Sequence, residues 1–262
     1  ADIVDLAARG VRIRAADPDD AASLDAAFPG AQRLLLVSTA ADGLWGRHRQ
    51  LEALVAAASR AGVQSVVYIA QVDMFATSPT LLERNCSVVE TACNSHGLSS
   101  SILRMAWPIE QLFPRIALAL KYGKWLSTAL QGRLPYVSVE DVASTVAAVL
   151  MREEMLPHHL NITGSRALTP EMLIDCINVV FGAQVELVPA NDEVLALHLQ
   201  ASGFSKSATM EALAMDALSK LEVAQYPNDA TRQMTGKSPL GIETVLAKHR
   251  LDLLLSRVTP KV

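Results

Sequence analysis

The sequence predicts an α/β protein: a Rossmann-like parallel sheet flanked by helices, with a smaller, mainly helical C-terminal lobe. Near-continuous apolar runs of strand length recur at "RLLLVST", "VQSVVYIAQ" and "LSSSILRMA". Such runs are typical of strands that are buried on both faces of a parallel sheet. Amphipathic helical segments separate them, as right-handed crossovers between parallel strands require. Past residue 190 the patterns are mostly helical.

In the first half of the chain, residues that favour the starts or ends of helices and strands mark the limits of the predicted elements. Residues 11–17, "VRIRAAD", have the pattern of a first strand that ends at Asp17. The next segment, "DDAASLDAAFPG", is predicted to be a helix that begins at Asp19 or Asp20 and is closed by Gly30. Helices are also expected in "GRHRQLEALVAAASRAG", which has one apolar stripe, and in "TLLERNCSVVETACNSHG". Each of these ends at a glycine, the residue that most easily adopts the left-handed conformation after a helix.

Past residue 105 the alternation becomes irregular. The stretch "WPIEQLFPRIALALKYGKWL" is expected to be apolar helix and loop. Ser138 and Thr169 are placed to cap the helices that follow them, and "HHLNITG" and "QVELVPA" are expected to be strands. We therefore expect a Rossmann-like domain over residues 1–150 and a smaller C-terminal substrate lobe over residues 151–262, interleaved with it. A ligand pocket is expected between the two.

Composition excludes several classes of function. Half of the residues are hydrophobic and 19% are charged, which favours a large core over disorder. The net charge of -4 is spread without a basic cluster, so a nucleic-acid partner is not expected. No uncharged apolar run reaches the ~20 residues that a membrane helix needs, and the first residues are unlike a signal peptide. These features favour a cytoplasmic protein.

Several ordered blocks resemble one family. "RLLLVST", "LEALVAAASRAGVQSVVYIA" and "SVVETACNSHGLSSSILRMAWPIEQL" are followed by "GRLPYVSVEDVASTVAAVL" and "LNITGSRALTPEMLIDCINVVFG". In this order they resemble the NmrA-like branch of the atypical short-chain dehydrogenases, in particular its triphenylmethane-reductase and quinone-reductase members. The resemblance implies NADP or NAD as cofactor and a small-molecule substrate, and it allows a homodimer.

The glycine-rich turn of that family is not found in the sequence. Its members carry the turn after their first strand, where a helix N-terminus holds the cofactor pyrophosphate. No G-x-G-x-x-G or G-x-x-G-x-x-G occurs here, and Gly43 and Gly46 follow a later strand. The opening residues therefore align with the family's second helix and third strand, and we expect the N-terminal glycine-rich βαβ segment to be missing.

Polar and aromatic residues at predicted strand ends are the candidates for ligand contacts. In doubly wound sheets ligands bind at the carboxyl ends of the strands. The expected cofactor contacts are Asp17, Ser38, Thr39 and Gln71. The expected substrate contacts, which follow the third buried strand or lie in the loop that would close over it, are Trp107, Gln111 and Tyr136.

Cys86 is a candidate catalytic residue, because it stands where family members often carry Lys or His, four residues before Glu90. A thiol with a lowered pKa could act as nucleophile or acid, and the alternative is a small buried core residue. No metal site is expected, since the adjacent His158 and His159 would point to opposite sides of a strand.

Two functions stay open at this point. One is NAD(P)H-dependent reduction of a small carbonyl, imine or quinone-like molecule, which the whole-chain resemblance favours. The other is a degenerate, cofactor-free relative that binds or rearranges a small molecule or acts as a sensor or partner protein. The missing glycine-rich turn and the unusual Cys86 favour this second function.

Overall fold

The computed structural model describes residues 3–37, 43–71, 80–152, 159–221 and 226–255. Its strands are β1 (Arg33–Val37), β2 (Ser65–Gln71), β3 (Ser99–Met105), β4 (Lys124–Ser127), β5 (His159–Ile162) and β6 (Glu186–Pro189). Its first helices are α1 (Ile3–Ala8), α2 (Ala21–Ala27), α3 (Gly43–Arg60), α4 (Thr80–Ser95), α5 (Phe113–Tyr122) and α6 (Val139–Met151). The later helices are α7 (Pro170–Phe181), α8 (Asp192–Ala201), α9 (Lys206–Ser219), α10 (Ala230–Thr235), α11 (Ile242–Lys248) and α12 (Arg250–Leu255).

The main sheet has four strands in the order β1-β2-β3-β5. β1 and β2 pair in parallel, with Arg33 opposite Ser65 and Val37 opposite Ile69. Val66 and Val67 of β2 and Ile102 and Leu103 of β3 have no exposed surface, as expected for strands that are covered on both faces. The predicted α/β class with a parallel sheet and a helical C-terminal part is confirmed.

The predicted strand at residues 11–17 is wrong. These residues form no β-ladder, and Val11 and Ile13 are each 47% exposed. An alternating pattern makes an extended segment possible, but a strand also needs a neighbour for its backbone groups. Asp17 instead stabilises a turn before α2: its carboxylate accepts from the Asp19 N–H (2.9 Å), and its own N–H donates to Ser23 Oγ (2.8 Å).

One compact unit comprises residues Ala1–Ala70, Glu83–Ile102 and Glu153–His158. Its described core is made of small and branched side chains of α3, β2 and α4, including Val55, Ala58, Val67, Val89 and Cys93. Two ion pairs join α2 and the segment before it to α3: Arg60–Asp25 (2.7 Å) and Arg49–Asp19 (2.9 Å). Both pairs are solvent-exposed, so water screens them and they add little to stability.

The second compact unit comprises residues Gln71–Leu82, Leu103–Arg152 and His159–Val262. Its core is formed by apolar side chains of α5, α7, α11 and the segments between them, including Trp107, Ile116, Leu173, Ile177 and Leu246. The predicted caps are confirmed, because Ser138 accepts from the Asp141 N–H and Thr169 accepts from the Met172 N–H. The predicted domain division at residue 150 stays a prediction.

The second unit also contains a strand that the sequence reasoning missed. β4 (Lys124–Ser127) pairs in parallel with β6, and Lys124 lies opposite Glu186. Residues 107–126 had been expected to be helix and loop throughout, but Gly123, with φ of 70°, ends α5. A glycine in this left-handed conformation stops a helix and redirects the chain. Among the described residues no helix is long and apolar enough to cross a membrane.

Candidate functional site

The predicted substrate contacts Trp107 and Tyr136 lie on neighbouring segments of the second unit. Pro108 and Val137 form a parallel β-bridge. The Val137 N–H donates to the Trp107 carbonyl (3.0 Å), and the Ile109 N–H donates to the Val137 carbonyl (2.9 Å). Trp107 is 3% exposed, and Tyr136 packs against the core to which Trp107 belongs. The structure therefore brings these two predicted residues together.

The third predicted substrate contact, Gln111, is exposed on the 3-10 turn Ile109–Leu112. In the same turn, both carboxylate oxygens of Glu110 accept from the Val139 N–H, at 3.0 and 3.1 Å. This contact fixes the turn to the first residue of α6. Gln111 therefore stands on a well-anchored segment, although its side chain is open to solvent.

The Tyr136 segment is held by close backbone packing. The Gly164 N–H donates to the Pro135 carbonyl (3.0 Å). A Cβ at Gly164 would lie 1.9 Å from the Tyr136 carbonyl oxygen, so only glycine fits there. The loop after β5 thus contacts the backbone of the loop before α6, and it can do so because Gly164 has no side chain.

Tyr136 is partly buried, and its hydroxyl has one weak hydrogen-bond partner. It donates to Met215 Sδ at 3.9 Å, a weak acceptor. Burial raises the pKa of Tyr136 well above its usual range, the Asp216 carboxylate raises it further, and Arg115 opposes both. The adjoining cavity has a volume of about 10 Å³ and is lined by Trp125, Tyr136, Leu173, Met215, Asp216 and Ser219. It has room for one water molecule, so an organic substrate does not fit in this cavity.

Beside Tyr136 lies a buried ion pair that sequence reasoning missed. Arg115 Nη1 donates to Asp216 Oδ1 (3.0 Å), and the two side chains are 7% and 4% exposed. Asp216 Oδ2 accepts from the Ser127 hydroxyl and the Thr128 N–H, both at 2.8 Å. Arg115 Nη2 donates to the Leu126 carbonyl (2.8 Å), and its guanidinium lies over the Trp125 ring (4.4 Å). Every one of these contacts joins α5, β4 or α9, so the network ties three elements together.

Arg104, the penultimate residue of β3, has a different environment. Its side chain is partly buried, and its Nε is buried without a hydrogen-bond partner. The sequence analysis did not single out Arg104, although a charged residue at the end of an apolar strand was a visible signal.

Two of the four predicted cofactor contacts, Asp17 and Gln71, lie within the described residues. The parallel pairing of β1 and β2 brings their carboxyl ends to one edge, as expected. Gln71 is the last residue of β2, and Asp17 is exposed in the turn described above. Ser38 and Thr39 lie outside the described residues. Their roles in binding a cofactor stay predictions.

The three cysteines are buried and form no disulfide. Cys86 in α4 is 1% exposed, and its catalytic role stays a prediction. Burial raises the pKa of Cys93 to about 11, and Glu90 adds to this. Burial also raises the pKa of Cys176 to about 11, helped by Glu243, to which the thiol donates at 3.2 Å. Cys93 and Cys176 therefore stay protonated at neutral pH and are poor nucleophiles.

A larger open groove of about 700 Å³ lies on the first unit, between α3 and α4. Its lining is mainly small and polar, including His48, Ala53, Ala56, Thr91 and Ser95. None of the predicted site residues that lie within the described ranges lines it. In the described ranges, no three His, Cys, Asp or Glu side chains come close enough to hold a metal ion.

The fold is similar to that of two solved reductase structures. Triphenylmethane reductase of Citrobacter sp., in complex with NADP(H), has a TM-score of 0.83 and 23% identity, over 94% of this chain and 86% of that chain. The NADPH-dependent quinone oxidoreductase of Escherichia coli, in complex with NADPH, has a TM-score of 0.80 and 22% identity, over 95% and 86% of the two chains.

Sequence comparison gives a consistent result. Quinone oxidoreductase 2 of Escherichia coli strain K12 is 27% identical over 198 residues, which cover 76% of this chain and 68% of that protein. The model of the NmrA-like family matches residues 2–220, which is more than half of the chain. The resemblance that the sequence blocks indicated is thereby confirmed, and the protein belongs to the NmrA-like family.

Proposed function

We propose that the protein is an NAD(P)H-dependent oxidoreductase that reduces a small carbonyl, imine or quinone-like molecule. The family match over residues 2–220 is the observation that carries this proposal. It is supported by the relatives, one of which is named a quinone oxidoreductase and two of which were solved with NADP(H) or NADPH.

One edge of the parallel sheet has the strand arrangement at which dinucleotides bind. The carboxyl ends of β1 and β2 lie side by side, where doubly wound sheets bind nucleotides. Gln71 at the end of β2, together with Asp17, Ser38 and Thr39, would contact the cofactor. Arg104 at the end of β3 supplies a guanidinium with an unsatisfied N–H. When bound, NAD(P)H supplies the hydride.

The side chains of the second unit suit a reaction in which the protein mainly orients the substrate. Tyr136 keeps its proton at neutral pH and therefore does not act as a base, and its hydroxyl donates to Met215 Sδ beside a cavity with room for a water molecule but not for an organic substrate. Gln111 is exposed and can both donate and accept. Trp107, which is buried, gives the anchored turn that follows it a rigid, apolar support. Hydride transfer requires little more from the protein than binding, orientation and electrostatics.

The proposal is tested by titrating the purified protein with NADPH and NADH and following the binding heat and the nicotinamide fluorescence. We expect saturable binding of at least one nucleotide, and oxidation of the bound nucleotide when a benzoquinone or a triphenylmethane dye is added. Failure of both nucleotides to bind at millimolar concentration would overturn the proposal. That result would favour the cofactor-free alternative.

A further inference from the structure

Arg104 stands out among the polar groups of the second unit because its Nε is buried and unsatisfied. Within the described part of the chain, no hydrogen bond or ion pair is formed by its guanidinium. Buried polar groups of folded proteins nearly always have partners, and an exception calls for an explanation. A ligand that supplies the missing acceptor is one such explanation.

The position of Arg104 agrees with a ligand contact. It is the penultimate residue of β3 (Ser99–Met105), and ligands of doubly wound sheets bind beyond the carboxyl ends of the strands. Two residues later, the Ala106 N–H donates to the Ile162 carbonyl at the end of β5 (2.8 Å). The next residue, Thr163, is buried, and its hydroxyl accepts from the Asn228 N–H (2.8 Å). The backbone around Arg104 is therefore fixed, although its own side chain is not paired.

Arg115 shows what an arginine with a structural role looks like in the same unit. Its guanidinium donates to a carboxylate and to a carbonyl and stacks on Trp125. Arg104 makes none of these kinds of contact to a described residue. A guanidinium that stands on a fixed backbone and has no partner among the described residues is suited to an incoming anion, because its planar fork of N–H donors matches the geometry of phosphate and carboxylate oxygens.

We infer that Arg104 is a binding residue for an anionic oxygen group of the ligand, either a phosphate or a carboxylate. The shared chemistry is a charge-assisted hydrogen bond from the guanidinium to the anion. The proposed function supplies the two sources: a phosphate of the nicotinamide nucleotide, or an acidic group on the substrate. The inference rests on the proposed function only where it identifies the anion as a nucleotide phosphate or an acidic group of the substrate.

The test compares the wild type with Arg104→Gln and Arg104→Lys. Arg250→Gln is the matched control, because Arg250 is exposed in the same unit and the charge change is identical. Binding of inorganic pyrophosphate, benzoate and NADPH is measured by calorimetry at fixed ionic strength. We expect Arg104→Gln to weaken binding of the anion by at least tenfold, Arg104→Lys to weaken it less, and the control to leave it unchanged. The lysine keeps the charge but not the fork of donors.

The pattern of losses identifies the source of the anion. A loss of pyrophosphate and NADPH binding identifies a nucleotide phosphate, and a loss confined to benzoate identifies an acidic substrate. If the wild type does not bind NADPH but an anion still depends on Arg104, the proposed function fails while the inference stands. If the wild type binds none of the three probes, or if Arg104→Gln binds all three as the wild type does, the inference is overturned.

The urea unfolding midpoints of the same variants distinguish a structural role of Arg104 from a role in ligand binding. An arginine kept for a ligand leaves the midpoint of Arg104→Gln equal to or above that of the wild type. A lowered midpoint with unchanged binding would overturn the inference.

Discussion

Two regions of the second unit place an arginine side chain in opposite surroundings. Around Arg115, the side chain of Asp216, the hydroxyl of Ser127 and two backbone groups form a closed network in which each charge has several partners. At the carboxyl end of β3, Arg104 has a buried Nε with none. A satisfied network stabilises its surroundings, whereas a buried donor without an acceptor lowers stability unless something else binds it. The difference distinguishes a structural arginine from one that is available to a ligand.

The largest effect is expected from Asp216→Ala. This change leaves the Arg115 charge buried without its carboxylate, and breaking a buried ion pair from one side costs about 3–5 kcal/mol. The free energy of unfolding, measured in urea, should fall by that amount. The double variant Arg115→Met/Asp216→Leu is the control, because it removes both charges and should recover most of the loss. A loss below about 1 kcal/mol in Asp216→Ala would contradict the structural role of this network.

Ser127→Ala tests the contribution of a single hydroxyl group to the Arg115–Asp216 network. It removes a 2.8 Å hydrogen bond to Asp216 Oδ2 and the acceptor of the Ala129 N–H (3.2 Å), but leaves the Thr128 N–H and Arg115 in place. We expect a loss of about 1–3 kcal/mol, typical of hydrogen bonds to charged groups. Urea unfolding measures it, and Ser95→Ala provides a control, since that hydroxyl donates to a carbonyl on the exposed part of α4. If Ser127→Ala and Ser95→Ala lowered the free energy of unfolding equally, the buried network would give the Ser127 hydroxyl no additional stabilising effect.

Arg104→Met is expected to change stability in the opposite direction. Removing a partly buried charge that has no partner should leave the free energy of unfolding unchanged or raise it by up to about 1 kcal/mol, while the methionine keeps much of the apolar stem. The measurement is the urea midpoint without added ligand. A loss of more than about 1 kcal/mol would mean that Arg104 is structural after all, and the contrast with Arg115 would disappear.

The smallest effect at neutral pH is expected from Tyr136→Phe, since the hydroxyl meets only a sulfur atom. We expect a change of a few tenths of a kcal/mol at pH 7. The pKa of Tyr136 is raised in the folded state, so the unfolded chain loses this proton first as the pH rises above about 10. The wild type should then lose about 1 kcal/mol relative to Tyr136→Phe between pH 9 and pH 11. Parallel pH profiles of the two proteins would contradict the burial of this hydroxyl beside Asp216.

Local sequence signals were sufficient where one segment determines its own structure. The buried runs of β1, β2 and β3 and the caps Ser138 and Thr169 could be read directly, because a strand buried on two faces is apolar throughout and a cap acts within one turn. The segment 11–17 has an alternating pattern that is also typical of strands, but it forms no ladder. The residues of β4 have the pattern of a helix and a loop. Strand formation there depends on a distant partner, which a local pattern does not contain.

The same limit applies to the site. Trp107 and Tyr136 were chosen separately, and only the bridge between Pro108 and Val137 places their segments side by side. Along α9 the buried positions Ala212, Met215, Asp216 and Ser219 follow helical spacing, so a charge on the apolar face was visible in the sequence. Its partner Arg115 lies 101 residues away and could not be inferred from that face alone.

The central claim is that this NmrA-like protein binds a nicotinamide nucleotide and that Arg104 helps to hold the ligand's anionic group. It is tested most directly by urea unfolding of the wild type and Arg104→Gln with and without NADPH. At a concentration 100 times the wild-type dissociation constant, the account predicts that NADPH raises the wild type's free energy of unfolding by about 2.7 kcal/mol. If the anion is a nucleotide phosphate, the increase in the variant is smaller by about 1.3 kcal/mol or more. No increase in the wild type would contradict nucleotide binding, and equal increases in both proteins would contradict a contact between Arg104 and the nucleotide.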